Sequence, residues 1–375
     1  MNRVALYTPA AALACFLLFD YALLRYVSLT ILSFYGIAFI VSRVLYVSCT
    51  ATLEKTVWYC YSGAQSHITL TVRNRGIFGA NLLVIDFSGA GRIAENVARH
   101  SVKTLHFSIP AEHRGVRRAG PVHFYGSDPF RFFPWHKTFD LSVRIIVYPR
   151  LHPPHILLTT GESGGRQKVR NPLYEDLSCL TAIRDYRPGD TVKRINWKAS
   201  ARTGSLQVME FSQTLSAPVF IILDINLDNY PLKQRYGMAE RAIEGSASIM
   251  TSYNRKGEAS GFIAEDSRGL TLVQLSKGSA HLVSVLTALS YLTATEGITV
   301  SVIDRFLSSG VALPQSTHVF IFTPVIDEET LFRIVLLQKK RLLPTLVNTG
   351  GRETGLTIPA GINYAIMPTY GEEYL

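Results

Sequence analysis

Between residues 171 and 211 the chain carries six Lys and Arg and five Asp and Glu around one Trp. Lys193, Arg194, Lys198 and Arg202 have the chemistry to hold a phosphate or a carboxylate through charge-assisted hydrogen bonds. Glu175, Asp176, Asp185, Asp190 and Glu210 share the window and can neutralise them. The near balance of charge favours a closed Asp–Arg network over an anion site, with Trp197 as an interface anchor. A second group of carboxylates, Asp190, Asp224 and Asp228, could serve a hydrolase if the fold gathers them in one open pocket. No Ser-His-Asp arrangement, nucleophile elbow, P-loop or HExxH is visible. No two of the four cysteines (Cys15, Cys49, Cys60, Cys179) sit at metal-ligand or redox spacing, so neither a zinc site nor a disulfide framework is expected.

The charged segment must be held by its neighbours. Residues 151–170, rich in Pro, Gly, Arg and Thr, read as a linker. Arg187-Pro188-Gly189-Asp190 is a turn, since Pro sets φ and Gly tolerates positive φ. Residues 206–211 then alternate as a strand. Beyond them, residues 219–224 form a continuous apolar run ending in Asp224, as a strand buried on both faces does. An amphipathic helix is expected over 233–254, with Met238, Ala242, Gly245 and Ile249 on one stripe. Strands at 259–264, 270–275, 318–323 and 343–348 alternate with helical spacing at 282–292, 300–307 and 328–341. That order predicts a doubly wound α/β sheet, closed by the strand at 343–348.

Upstream, residues 67–73, 82–87, 104–109, 122–125 and 143–148 alternate between turn signals and predict a small β-sandwich. Phe130, Phe132 and Phe133 follow an Asp128-Pro129 turn and are expected to plug that sandwich or a domain interface. The alternative is a patch for a partner. Before the strands, residues 4–24 and 27–48 are two apolar runs of bilayer-spanning length separated by Arg25-Tyr26, which predicts a transmembrane hairpin. The apolar stretch is too long for a signal peptide, and no clean cleavage site follows it.

Charge is uneven. Residues 1–211 hold 25 Lys and Arg against 13 Asp and Glu, and residues 212–375 hold 13 against 15. A basic half beside a membrane segment suits anionic lipid, and no nucleic-acid motif accompanies it. Lys and Arg following the apolar runs place the soluble part in the cytoplasm.

The central segment resembles the domain of unknown function 58 family of membrane-associated proteins. Asp185, Tyr186, Arg187, Gly189, Asp190, Arg194, Ile195, Trp197, Lys198, Ser200, Ala201, Arg202, Gly204 and Phe211 carry the likeness. Arg114-Gly115, Asp128-Pro129-Phe130 and Tyr148-Pro149-Arg150 extend it, as does the N-terminal hairpin. Asn196 stands where a His is common in similar proteins, which removes a titratable group. The C-terminal order, with Asp224 ending its first strand, is similar to a von Willebrand factor type A domain. The resemblance implies a divalent-cation loop, here Asp224-Ile225-Asn226-Leu227-Asp228 with Thr323 from another strand end. Asn226 and Asp228 replace the usual serines and still offer oxygen to Mg²⁺, while a metal-free binding domain is the simpler expectation.

The expected organisation is therefore a transmembrane hairpin at 1–50, a β-sandwich-like domain at 51–150, a linker and motif at 151–215, and an A-like α/β domain at 216–375. The resemblance implies a membrane-anchored docking protein whose partner is a MoxR-type AAA+ ATPase. A carboxylate hydrolase and an anionic-lipid or polyanion binder are the alternatives.

Overall fold

In a computed structural model the first apolar run forms α1 (Arg3–Leu18) and the second α2 (Ala22–Ser48). Arg25-Tyr26, expected to separate the two helices, lie inside α2. Neither of those two residues is a helix breaker, and the Arg25 amide bonds the Tyr21 carbonyl in the first turn of α2. The helices are unequal. At 1.5 Å per residue α2 is about 40 Å long, whereas α1 at about 24 Å falls short of a ~30 Å hydrocarbon layer. Among the described residues α2 is the one helix long and apolar enough to cross a membrane. The structure describes residues 3–18, 21–152, 159–160, 180–185, 197–211, 217–350, 356–359 and 361–367. It divides into two units, Met1–Tyr148 and Pro149–Leu375.

Ten strands follow α2 in the first unit. They are β1 (Cys49–Leu53), β2 (Val57–Tyr61), β3 (Gln65–Asn74), β4 (Ala80–Phe87) and β5 (Gly91–Val97). Then come β6 (Ser101–Pro110), β7 (Gly115–Ala119), β8 (Val122–Gly126), β9 (Trp135–Phe139) and β10 (Val143–Tyr148). The expected sandwich resolves into three sheets, ordered β1-β3-β6, β2-β10-β7 and β5-β4-β8-β9. Several of these strands are only five residues long, so no one sheet spans the unit. Period-two burial on β3 sends Ile68, Leu70 and Val72 inward, where they meet Ile85, Phe107 and Phe124 in a single core. Val41 and Leu45 of α2 belong to the same core, so the last two turns of that helix are built into the unit.

Lys137 pins the join. Its ammonium donates to the Tyr46 carbonyl at 2.9 Å and the Cys49 carbonyl at 2.8 Å, and lies over the Tyr46 ring. The last carbonyls of a helix lack intrahelical partners, and a cation there also suits the helix dipole.

The second unit begins with β11 (Thr159–Thr160), β12 (Leu180–Asp185), α3 (Trp197–Thr203) and β13 (Gln207–Phe211). Next are β14 (Val219–Leu223), α4 (Arg235–Arg255), β15 (Ser260–Asp266), β16 (Gly269–Ser276) and α5 (Ser279–Tyr291). Last are α6 (Val302–Ser308), β17 (His318–Thr323), α7 (Glu328–Lys339), β18 (Leu343–Asn348) and β19 (Asn363–Ile366). The main sheet runs β11-β19-β18-β17-β14-β15-β16. Neighbours from β15 to β19 are parallel, while β16 and β11 are antiparallel edges. The pattern does not close at β18 as expected, because β19 adds one more parallel strand.

Both faces of this sheet are covered. Val319 and Ile321 of β17 pack with Phe306 of α6 and Ile334 of α7. Phe320 and Phe322 point the other way, toward Tyr253 and Gly245 of α4. A Cβ on Gly245 would stand 3.1 Å from the Phe322 ring and closer still to Met367, so the missing side chain lets α4 lie close to the sheet.

Candidate functional site

β14 is apolar because both its faces are covered, and its buried run stops where the chain leaves the sheet. Asp224 stands at that point. β14 lies between β15 and β17, so the connections depart in opposite directions from it, and a crevice opens beyond the carboxyl ends of such strands. Here the crevice is a cleft of about 350 Å³ whose lining includes Asp224, Asn226, Ser301, Thr323, Asp327 and Arg333.

Donors surround the Asp224 carboxylate. One oxygen accepts from the Asn226 amide at 3.0 Å. The other accepts from the Asn229 side chain at 2.9 Å and the Thr323 hydroxyl at 3.3 Å. Burial pushes the Asp224 carboxyl above its ordinary value, against these bonds, which favour the ionised form. Tyr230 fixes the loop by donating its hydroxyl to the Asp224 carbonyl at 2.7 Å. That hydroxyl is itself deeply buried, and burial pushes its pKa up.

The four residues expected around a cation divide into two pairs. Asp224 and Thr323 meet in a 3.3 Å hydrogen bond at the adjoining ends of β14 and β17. The Asn226 amide group donates to the Ile298 carbonyl at 2.8 Å, and its oxygen accepts from the Asp228 backbone at 3.3 Å. The exposed Asp228 carboxylate accepts from the Gly297 amide at 2.7 Å. The Asn229 amide group donates to the same Asp224 oxygen that faces Thr323. Among the described residues no group of three or more His, Cys, Asp or Glu is arranged for a metal ion.

Sequence reasoning missed Asn229, Gly297 and Arg333. Arg333 bridges Asp304 at 2.7 Å and Glu329 at 2.6 Å at the cleft wall. Glu329 lies four residues before Arg333 on α7, a spacing readable from sequence, but nothing local ties either to Asp304 or Asp224.

The charged motif is described in part. Arg187, Asp190 and Arg194 lie outside the described residues, so the carboxylate trio Asp190, Asp224 and Asp228 is placed only at its last two members. Asp185 ends β12, and its carboxylate accepts from Gln207 at 2.5 Å and Ser205 at 3.4 Å. α3 stops at Gly204, which takes φ of 72° while its amide bonds the Ser200 carbonyl. The Ser200 hydroxyl accepts from the Gln207 amide at 2.8 Å and so ties α3 to β13. Trp197 opens α3 and is 64% exposed, with Lys198 and Arg202 also exposed, so the helix does not bury its Trp.

Residues 182–318 match the family described as "Protein of unknown function DUF58". The match runs from β12 through the Asp224 loop to the first residue of β17. Thr323, Asp327 and Arg333 lie just beyond it. The chain is also similar to "Uncharacterized protein YeaD" of Bacillus subtilis (strain 168), at 22% identity over 241 residues, or 60% of this chain. It spans 58% of that relative's length. Among solved structures, a family 123 glycoside hydrolase from Clostridium perfringens overlaps 29% of each chain at 6% identity and a TM-score of 0.20, too little to bear on fold or chemistry.

Proposed function

We propose that the chain is a membrane-anchored interaction protein. The α1–α2 pair acts as a hairpin anchor in the cell membrane, with α2 as the spanning helix and the shorter α1 beside it. The second unit, a von Willebrand factor A-like domain on the cytoplasmic side, docks a protein partner at the Asp224 cleft. One observation carries the docking reading. Asp224 and Thr323 meet at the switch point of a doubly wound sheet, where such folds bind ligands. The rigid strands β14 and β17 present them, and Tyr230 and Asn229 hold the loop between. The anchor reading is supported by α2, and the cytoplasmic side by the Lys and Arg that follow it.

The family resemblance supplies the partner class, a MoxR-type AAA+ ATPase. A divalent cation such as Mg²⁺ would find oxygen on Asp224 and Thr323. Asn226 and Asp228 are engaged elsewhere, so docking is argued from the cleft itself and no step is routed through a metal. Binding of a purified MoxR-type ATPase to the detergent-solubilised full chain tests this. Asp224→Ala is expected to weaken binding by about tenfold or more, equivalent to about 1.4 kcal/mol. Equal binding by both chains removes the cleft as the docking site, and no binding by either removes the partner.

A further inference from the structure

We propose that the loop 127–134 is a lipid-facing wedge that enters the bilayer beside α2, with phospholipid acyl chains as the ligand of its Phe130 face. The inference rests on the proposed membrane anchoring and adds a second membrane contact to it. The loop grips α2 well inside that helix. The Phe130 ring lies 4.7 Å from Phe34, Phe132 stacks on Tyr35 at 4.8 Å, and Phe133 meets Phe39 edge-on at 5.4 Å. Phe39 is about 14 Å and Phe34 about 21 Å along the axis from the end of α2 at Ser48. Arg25 and Arg43 bound an uncharged stretch of α2, residues 26–42, that is about 26 Å long and close to a ~30 Å hydrocarbon layer. The level of Phe34 to Phe39 is therefore within the layer, and the loop goes with it.

Irregular backbone survives at that depth only when its polar groups are satisfied within the protein. The start and the end of this loop are wired that way. Asp128, 1% exposed, accepts from the amides of Phe130 at 3.0 Å and Phe133 at 2.7 Å. Its carbonyl accepts from the Arg131 amide at 3.0 Å. The Ser42 hydroxyl of α2 donates to the Phe133 carbonyl at 2.7 Å.

The outer surface is apolar and continuous with α2. Phe130 is 55% exposed, and Ile37, Phe39, Ile40 and Val47 of α2 are exposed as well. A groove of about 450 Å³ runs along Phe39, Ile40, Val44 and Val47. Two cations border this surface. Arg43 lies over the Phe39 and Tyr46 rings, and Arg131 is exposed. Arg43, about 8 Å from the end of α2, has a stem long enough to reach anionic headgroups while the rings stay in acyl chains. Phe tips with a cationic border are the pattern of an interfacial anchor.

Photo-crosslinking of the full chain in phosphatidylcholine and phosphatidylglycerol vesicles tests the wedge. Benzoylphenylalanine is placed singly at Phe130, at Leu29 on α2, and at Tyr59 on β2, all half exposed or more. Lipid adducts at positions 130 and 29, with few at 59, are the expected result. Adducts at 29 while 130 stays at the level of 59 overturn the wedge and leave the anchor standing. A lack of adducts at 29 overturns the anchor, and the wedge with it.

Discussion

A carboxylate that burial raises and hydrogen bonds lower is a sensitive reporter of its surroundings. Burial wins at Asp224, so its folded pKa lies above the ordinary value near 3.8. The corresponding stability is fully present below the unfolded value and is lost as pH rises through the folded one. Asp224→Asn keeps the shape without the charge. Its stability relative to wild type is therefore expected to rise with pH across that window, measured by urea denaturation at a series of pH values. A difference that stays flat with pH contradicts a buried, ionising Asp224. Asp327 shifts the other way. Burial opposes ionisation there too, but bonds from Thr330 at the start of α7 and the nearby Arg333 outweigh it and lower the pKa. Its side chain caps α7 by accepting from the Thr330 amide at 2.7 Å. Asp327→Ala is expected to cost about 1 kcal/mol of stability by the same assay.

Elements divide into those the sequence declares and those that contacts decide. The alternation of β3 and the apolar run of β14 are one-dimensional patterns, because inward and outward faces follow the strand period. β19 was not legible, since only four residues pair, directly beside β18, and Tyr364 and the preceding Ile362 are what it adds to the core. The role of the Phe130 loop was not legible either, because its partners lie about ninety residues earlier in α2. At the site, Asp224 and Thr323 could be placed at strand ends, whereas Asn229 and Gly297 are recruited by a fold of the loop that no spacing announces. The Lys137 pin is the same kind of long-range contact. Lys137→Met keeps the apolar stem and removes the donor from two carbonyls. It is expected to cost the first unit about 1–3 kcal/mol, read from the urea midpoint of tryptophan fluorescence. Gly245→Val crowds Phe322 and Met367 and is expected to destabilise the second unit by a similar 1–3 kcal/mol, roughly.

On the scale of the whole molecule, a basic unit that includes the long apolar helix α2 shares the chain with an α/β unit that holds a polar cleft. Anchoring predicts that the full chain stays with membranes through alkaline carbonate extraction. Replacing both Leu29 and Ile37, exposed on α2, by Lys is expected to release it, at about 2.5–3.5 kcal/mol per charge near the helix centre. The central claim joins anchor to docking, and co-sedimentation tests both together. Membrane vesicles bearing the full chain are mixed with a purified MoxR-type ATPase and pelleted. The ATPase is predicted to enter the pellet with wild-type vesicles and to remain in the supernatant with Asp224→Ala vesicles carrying equal amounts of folded chain. An ATPase that stays in the supernatant with both would contradict the account.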